Sequence, residues 1–361
     1  VNRLAGALVR AAHALWAWSQ RHRSVAPVAR LVRSHWIETV AVVSLIALVV
    51  AVNPPTLLHT FSRISWQIAV LMIPVALATY VARAVAWYAA LHRIGSLVSL
   101  WRTVAIEIAG QVMVFMPLGD LARVAMVRRA GFRRREPGEL AGTIAFQELT
   151  FMTLLGFGVL PRVATQRDVA LLVVIMTLAH AGIFAILLSR RAYDWAVRTV
   201  ERVRILRRFD KQLRDIRPAF VMLFEPRALI PILISNAVAA ALNFLLFWLA
   251  LRALGQDSIS FISAAFVLGL SYIIAGLSFV PGSLGAFEGL ATVVMISNGI
   301  APAVGAAVTL LYRGYNDILM AMVGAPFAFA LQRLGATGRR RSEGRGGRKS
   351  RRAQRHPSRA R

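Results

Sequence analysis

The sequence predicts an all-α, polytopic helical membrane protein of about six to eight spans, with two broken or re-entrant helical hairpins forming an inverted repeat. Three observations carry this. The 361 residues are 57% hydrophobic and have a mean hydropathy of +0.60, above the apolar share of a soluble domain. Several apolar runs reach the roughly 20 residues that a helix needs to cross a bilayer. Two of these runs are interrupted by proline and glycine, at Pro117-Leu118-Gly119-Asp120 and at Pro281-Gly282-Ser283-Leu284-Gly285. Proline removes a backbone donor and glycine loosens a helix. Non-helical backbone at membrane depth survives only where protein or a watery cavity surrounds it.

Taken in order, residues 1–35 are basic and carry Leu4, Leu8, Ala11, Leu15 and Trp18 at helical spacing, the pattern of a helix lying in the membrane interface. Residues 36–331 form the membrane domain. The first span covers 37–52 and ends outside at Asn53-Pro54-Pro55; the second, 64–91, returns, with Arg83 able to snorkel. Residues 101–131 contain the first break. Were this stretch to cross, Arg123, Arg128, Arg129, Arg133, Arg134 and Arg135 would lie outside, against the positive-inside rule. A re-entrant hairpin satisfies both signals. Residues 140–160 and 169–188 are the next two spans, the former ended by Pro161. Residues 190–227 read as a cytoplasmic amphipathic arm. Val197, Val200, Val203, Leu206, Phe209, Leu213 and Ile216 recur every turn, and Arg198, Arg202, Arg204, Arg207, Arg208 and Arg214 form a basic face for anionic lipid. Residues 228–251 span outward, 259–297 hold the second hairpin, and 302–331 are the last span. The tail, 332–361, is rich in arginine, glycine and serine and is expected to be disordered and cytoplasmic. Its partner is expected to be the anionic lipid surface rather than nucleic acid.

Composition also excludes. There is no cysteine, hence no disulfide and no thiolate metal site. The net charge of +27 is almost all arginine, since Lys211 and Lys349 are the only lysines. No phosphate-binding loop, zinc-protease motif, nucleophile elbow or dinucleotide fingerprint is present, and the seven histidines lack ligand spacing. Neither a metal, a cofactor nor a catalytic residue is expected.

Charges inside a membrane are costly and point to function. Glu107, Asp120, Arg123, Glu148, Glu288, Arg313 and Asp317 are the candidates. Asp120 and Arg123 share a helix face, as do Arg313 and Asp317. Either these pairs neutralise each other structurally, or they line a cavity whose arginine forks match the oxygens of a phosphate. The half-helix after Gly285 would turn its free N–H groups and positive dipole end toward that cavity, with Glu288 in its first turn.

One stretch, Pro281-Gly282-Ser283-Leu284-Gly285-Ala286-Phe287-Glu288, resembles the Pro-Gly-Gly-x-Gly-x-x-Glu pattern of the transmembrane part of lysylphosphatidylglycerol synthases and their stand-alone flippase-like relatives. Leu311-Tyr312-Arg313 is similar to the Leu-Tyr-Arg that follows in that family, and Pro117-Leu118-Gly119-Asp120-Leu121-Ala122-Arg123 to its earlier Pro-x-x-x-Gly-Glu-x-x-Arg element. The family's Glu-Arg pair is matched only at Gln147-Glu148. Ser283 stands for a glycine, the earlier element is shorter with Asp120 for glutamate, and no arginine follows Glu148. The resemblance spans roughly 40–330. It implies a multi-pass protein of the bacterial inner membrane that binds and translocates an anionic phospholipid or a polyprenyl-phosphate-linked lipid. Pro281, Gly282, Gly285, Glu288, Arg313 and Asp317 would line the site, faced by Asp120, Arg123 and Glu148. The alternatives are a non-transporting accessory for a cell-envelope glycosyltransferase, and a membrane enzyme acting on a lipid phosphate.

The charge asymmetry sets a topology that can be read directly. Both termini and the 190–227 arm are expected in the cytoplasm, so a single cysteine at Ser342 should stay unlabelled by an impermeant thiol reagent in intact cells and react after permeabilisation. Labelling in intact cells would reverse the orientation.

Overall fold

The computed structural model describes residues 54–113, 122–130, 136–163, 167–202, 210–276 and 285–330, and among them every regular element is a helix. In chain order these are α1 (Pro54–Phe61), α2 (Trp66–Arg93), α3 (Leu100–Gly110), α4 (Ala122–Arg129), α5 (Pro137–Gly156), α6 (Leu160–Val163), α7 (Arg167–Leu188), α8 (Arg190–Glu201), α9 (Asp210–Met222), α10 (Pro226–Ala253), α11 (Phe261–Gly276), α12 (Ala286–Ser297) and α13 (Pro302–Arg313). The span expected over 37–52, the N-terminal segment, the tail and the two breaks, 114–121 and 277–284, lie outside the described residues.

The element order repeats. A 28-residue helix, a pair of short helices around a break, and a helix beginning at proline occur first as α2, α3–α4, α5 and again as α10, α11–α12, α13. The two long helices α2 and α10 form the central pair of the molecule. They run antiparallel: the Ser65 N–H, at the start of α2, donates to Ala253 O at the end of α10 (2.9 Å). At the opposite end, Arg93 closes an ion pair with Glu225. The corresponding long helices of the two halves therefore point in opposite directions, as the long helices of an inverted repeat do.

Small side chains bring this pair together. Ala76, Ala84, Ala239, Ala240 and Ala250 are buried with Met72, Leu246 and Phe247. In lipid, close packing replaces the hydrophobic drive that water would supply. The halves also interlock. Gly269 on α11 of the second half meets α5 of the first, where a Cβ would stand 2.7 Å from Leu155 O and 3.3 Å from the Cα of Gly158. Reciprocally, the helix that continues α13 lays Gly324 directly on the backbone of Ile108 in α3. Arg162 closes the end of α6 onto the second hairpin by donating to Asn298 Oδ1 (2.8 Å) and Ser263 Oγ (3.1 Å).

Helix α2, the run from α5 through α6, and helix α10 are each long and apolar enough to cross a bilayer; α7 and α8, bent by 97° at Ser189, count as a fourth span if read together. α11 and α12, with 16 and 12 residues, are each shorter than a crossing requires and pack on each other as a hairpin.

Three expectations need correction. Pro161 does not end its span, because α6 carries the helix on to Val163. The 190–227 arm is not one surface helix. α8 ends at Glu201, and α9 is pulled inward against α5 by Phe220, which meets Phe146 edge-on at 4.9 Å, with Phe184 and Phe224 completing the ring cluster. Arg217 caps the C-terminus of α7 by donating to Leu188 O (2.6 Å). The last span is also not regular. A π-helical turn, Gly314–Leu319, lies within it before the helix resumes over 320–330.

The interlock makes opposite demands on two glycines. Gly269→Ala should destabilise the protein by about 1–3 kcal/mol, because the new methyl meets backbone that cannot yield. Gly182→Ala on α7 meets nothing within 4 Å and should be neutral or gain about 0.5–1 kcal/mol. Thermal unfolding of the two purified variants checks the contrast.

Candidate functional site

Two clusters of buried charge sit at corresponding places in the two halves. In the first, Arg83 on α2 reaches Glu107 on α3 through Nε (3.0 Å) and Glu148 on α5 through Nη2 (2.5 Å). Arg123 on α4 is fully buried. It pairs with Glu107 through Nη1, donates from the same nitrogen to Gln147 Oε1 (3.2 Å), and reaches Glu148 through Nη2 (2.7 Å). Two guanidinium groups and two carboxylates thus balance in one network, and Glu148, with 20% of its side chain exposed, is its most open member. Aromatic faces complete the lining: Phe151 lies 4.6 Å from the Arg83 guanidinium carbon, and Trp87 lies 5.3 Å from that of Arg123. Gly110 leaves the room that Arg123 fills, since a Cβ there would stand 2.8 Å from its Cγ.

In the second half, α12 starts at Gly285, whose φ of 76° is readily adopted only by glycine. The Gly285 N–H donates to Glu288 Oε2 (2.6 Å), and the other oxygen of that carboxylate lies 3.0 Å from Arg313 Nε. Arg313 also pairs with Asp317 one turn on, through Nη1. Asp317 in turn accepts from the Asn316 amide (2.7 Å). The Phe287 ring underlies the Arg313 guanidinium at 4.8 Å. Asn316 and Asp317 fall within the π-helical turn, a feature that often accompanies functional positions.

Buried tyrosines accompany both clusters. Tyr80 on α2 donates to Gln111 Oε1 (3.1 Å) and lies within electrostatic reach of Asp317 as well as Arg83 and Glu107. Tyr272 on α11 is 2.9 Å from the Tyr312 hydroxyl, which donates to Asn243 on α10. Tyr272 feels Arg313, Asp317 and Arg83 together. The two charge clusters thus lie within electrostatic reach of each other beside the antiparallel pair.

The structure brings Gly285, Glu288, Arg313 and Asp317 together, and separately Arg123 with Glu148. Asp120, Pro281 and Gly282 lie outside the described residues, and the described acid partners of Arg123 are Glu107 and Glu148. Arg83 does not snorkel. It sits ten positions before the end of α2, about 15 Å of helix, and is 8% exposed. Its place in the middle of an apolar run was the available signal. Gln147, Asn243, Tyr272 and Tyr312 carried no sequence signal for their bridging contacts. Of the surface arginines, Arg198, Arg202 and Arg214 are exposed, while Arg204, Arg207 and Arg208 lie outside the described residues. Arg198 donates to Asp194 O in its own helix (3.0 Å). Among the described residues no three His, Asp or Glu side chains gather as a metal site.

The family model of the lysylphosphatidylglycerol synthase transmembrane region matches residues 36–324. No curated protein matches the chain.

Arg123 is the member whose loss the first cluster tolerates least. Arg123→Ala leaves Glu107 and Glu148 sharing Arg83, and stranding a buried charge costs about 3–5 kcal/mol. Denaturation in detergent should show that loss, and adding Glu107→Gln should restore part of it. Equal stability of parent and single variant would mean that the network is not held as described.

Proposed function

We propose, from the premise that this chain belongs to the lysylphosphatidylglycerol synthase transmembrane family, that it binds a lipid through a phosphate in its headgroup and moves that headgroup between leaflets. The observation that carries the reading is the convergence of three buried arginines, Arg83, Arg123 and Arg313, around one antiparallel helix pair inside an apolar protein. A lipid phosphate offers the acceptor oxygens that guanidinium forks match. In the structure carboxylates hold those forks. Glu107 and Glu148 hold Arg83 and Arg123, and Glu288 and Asp317 hold Arg313. The carboxylates keep the arginines charged and oriented without a ligand, and a headgroup phosphate would replace them one at a time. Glu148, the most open carboxylate, would yield first. Two halves whose long helices point in opposite directions, each with its cluster of buried charge, are the architecture with which a site can be opened to either side in turn.

The lipid class would be a phospholipid with net negative charge or a polyprenyl phosphate, in a bacterial inner membrane with both termini cytoplasmic. α8 and the exposed arginines of 190–227 would rest on the anionic leaflet. The mutual saturation of the charges favours one second reading, a structural ion network in a protein that recruits a partner without transporting lipid.

Reconstituted vesicles separate the two. Glu288→Gln leaves Arg313 and Asp317 as a balanced pair, and Arg313→Lys keeps the charge but loses the fork. Both variants should insert and purify like the parent, yet lower lipid translocation about tenfold or more, a loss of ~1.4 kcal/mol in the rate-limiting interaction. Full translocation by both would remove the second cluster from the site. Aggregation of both, with recovery in a double Glu288→Gln, Arg313→Gln variant, would support the structural reading.

A further inference from the structure

The two halves are not electrically equivalent. Arg83 and Asn243 stand at the same distance from the starts of α2 and α10, the corresponding helices of the repeat. Where the first half carries a second arginine, the second half therefore carries an amide. Glu107 and Glu148 are matched by Arg83 and Arg123, whereas Glu288 and Asp317 share Arg313. With these groups ionised, the second cluster holds one negative charge too many among the described residues. An uncompensated charge removed from water is expensive and is neutralised by whatever cation reaches it.

A second observation marks the place. Asn316 is 6% exposed, and its Oδ1 accepts no hydrogen bond. The amide cannot simply be turned over, because its Nδ2 donates to Asp317 Oδ1 (2.7 Å) and reversal would set two oxygens face to face. A buried acceptor without a donor is thus fixed beside the carboxylate of the over-negative cluster, within the π-helical turn. Both features are satisfied by one added positive charge.

We propose that Asp317 and the Asn316 side-chain carbonyl form a site for one monovalent positive charge, carried by Na⁺ or by a proton. Na⁺ would replace the Asn316 N–H against Asp317, coordinated by Asp317 Oδ1 and, after the amide turns, by Asn316 Oδ1. A proton would sit on Asp317 Oδ1 and be donated to Asn316 Oδ1 after the amide turns. The charged and titratable groups facing the site are Glu288 from α12, Arg313 and Tyr312 from α13, Tyr272 from α11, Tyr80 and Arg83 from α2, and Glu107 from α3. The site would make the second half, not the first, the one that responds to ions.

The test needs no lipid, so its outcome is independent of translocation. The full chain is purified in detergent, and its apparent Tm is followed while choline chloride is replaced by NaCl at constant ionic strength, and separately while the pH is lowered from mildly alkaline to mildly acidic in choline. The parent should gain about 2–4 °C in one of the two arms, and that arm identifies the carrier. Asp317→Asn, already neutral, should lose the gain and in choline be at least as stable as the parent. Asn316→Ala should keep the cluster's charge but need about tenfold or more of the cation for the same gain. If Asp317→Asn fails to fold, Glu288→Gln removes the same excess charge and should lose the gain likewise. A parent indifferent in both arms, or a gain that persists in the charge-neutralised variant, overturns the proposal.

Discussion

A charge taken into a bilayer must find its counter-charge in the protein, and this constraint fixes much of the architecture. Arg123 has no exposed surface, and the partners it meets belong to α3 and α5 while the arginine itself belongs to α4. Three elements are locked to one another by one guanidinium. Arg83 extends the same lock to α2. Removing such a group is costly because the partners left behind are stranded, not because the pair itself contributes a large net energy. α3 and α4, which precede and follow 114–121, are thus held together by charge.

Packing supplies what the charges cannot. Lipid tails are as apolar as the helices they surround, so apolar burial alone gives little reason for one helix to prefer another. Glycine gives that reason here. Gly269 and Gly158 bring α11 against the end of α5, and Gly324 brings the last helix against α3. Each half thereby clasps the hairpin of the other. The charged groups of the two clusters are largely buried within the protein.

Much of this was legible in the sequence, for identifiable reasons. Three long helices follow from apolar runs, and the two hairpins follow from proline and glycine inside such runs. Glu288 and Arg313 stand out because charge is rare there, and the capping of α12 by Glu288 follows from a glycine three positions before it. Other features depend on contacts that periodicity does not encode. The helical spacing over 197–216 suits a surface helix equally well as two helices, and the choice is made by Phe220 finding Phe146. Arg83 looked able to reach water because its distance from the helix end and its acid partners are tertiary facts. The π-helical turn leaves no mark in composition, and the tyrosine bridge joins residues as far apart in sequence as Tyr272 and Tyr312.

The same geometry explains why an inverted repeat need not be a symmetric device. The sign of the charges is exchanged between halves. The first hairpin presents Arg123 to Glu148 on the following helix, and the second presents Glu288 to Arg313, at the same distance from its N-terminal proline as Glu148. Each pair is self-neutralising, so either half could have arisen from the other by exchanging partners without leaving a bare charge. The positions on the long central helices break this reciprocity, because Arg83 is charged and Asn243 is not. In a balanced cluster, moving one group strands another unless an anion takes its place. A cluster held one charge from balance has a neighbouring state that differs only by a small cation. The antiparallel pair α2–α10 joins the two halves, with Arg83 on one helix and Asn243 on the other. Coupling of the two clusters would require no wire between distant sites, only two arrangements of that helix pair.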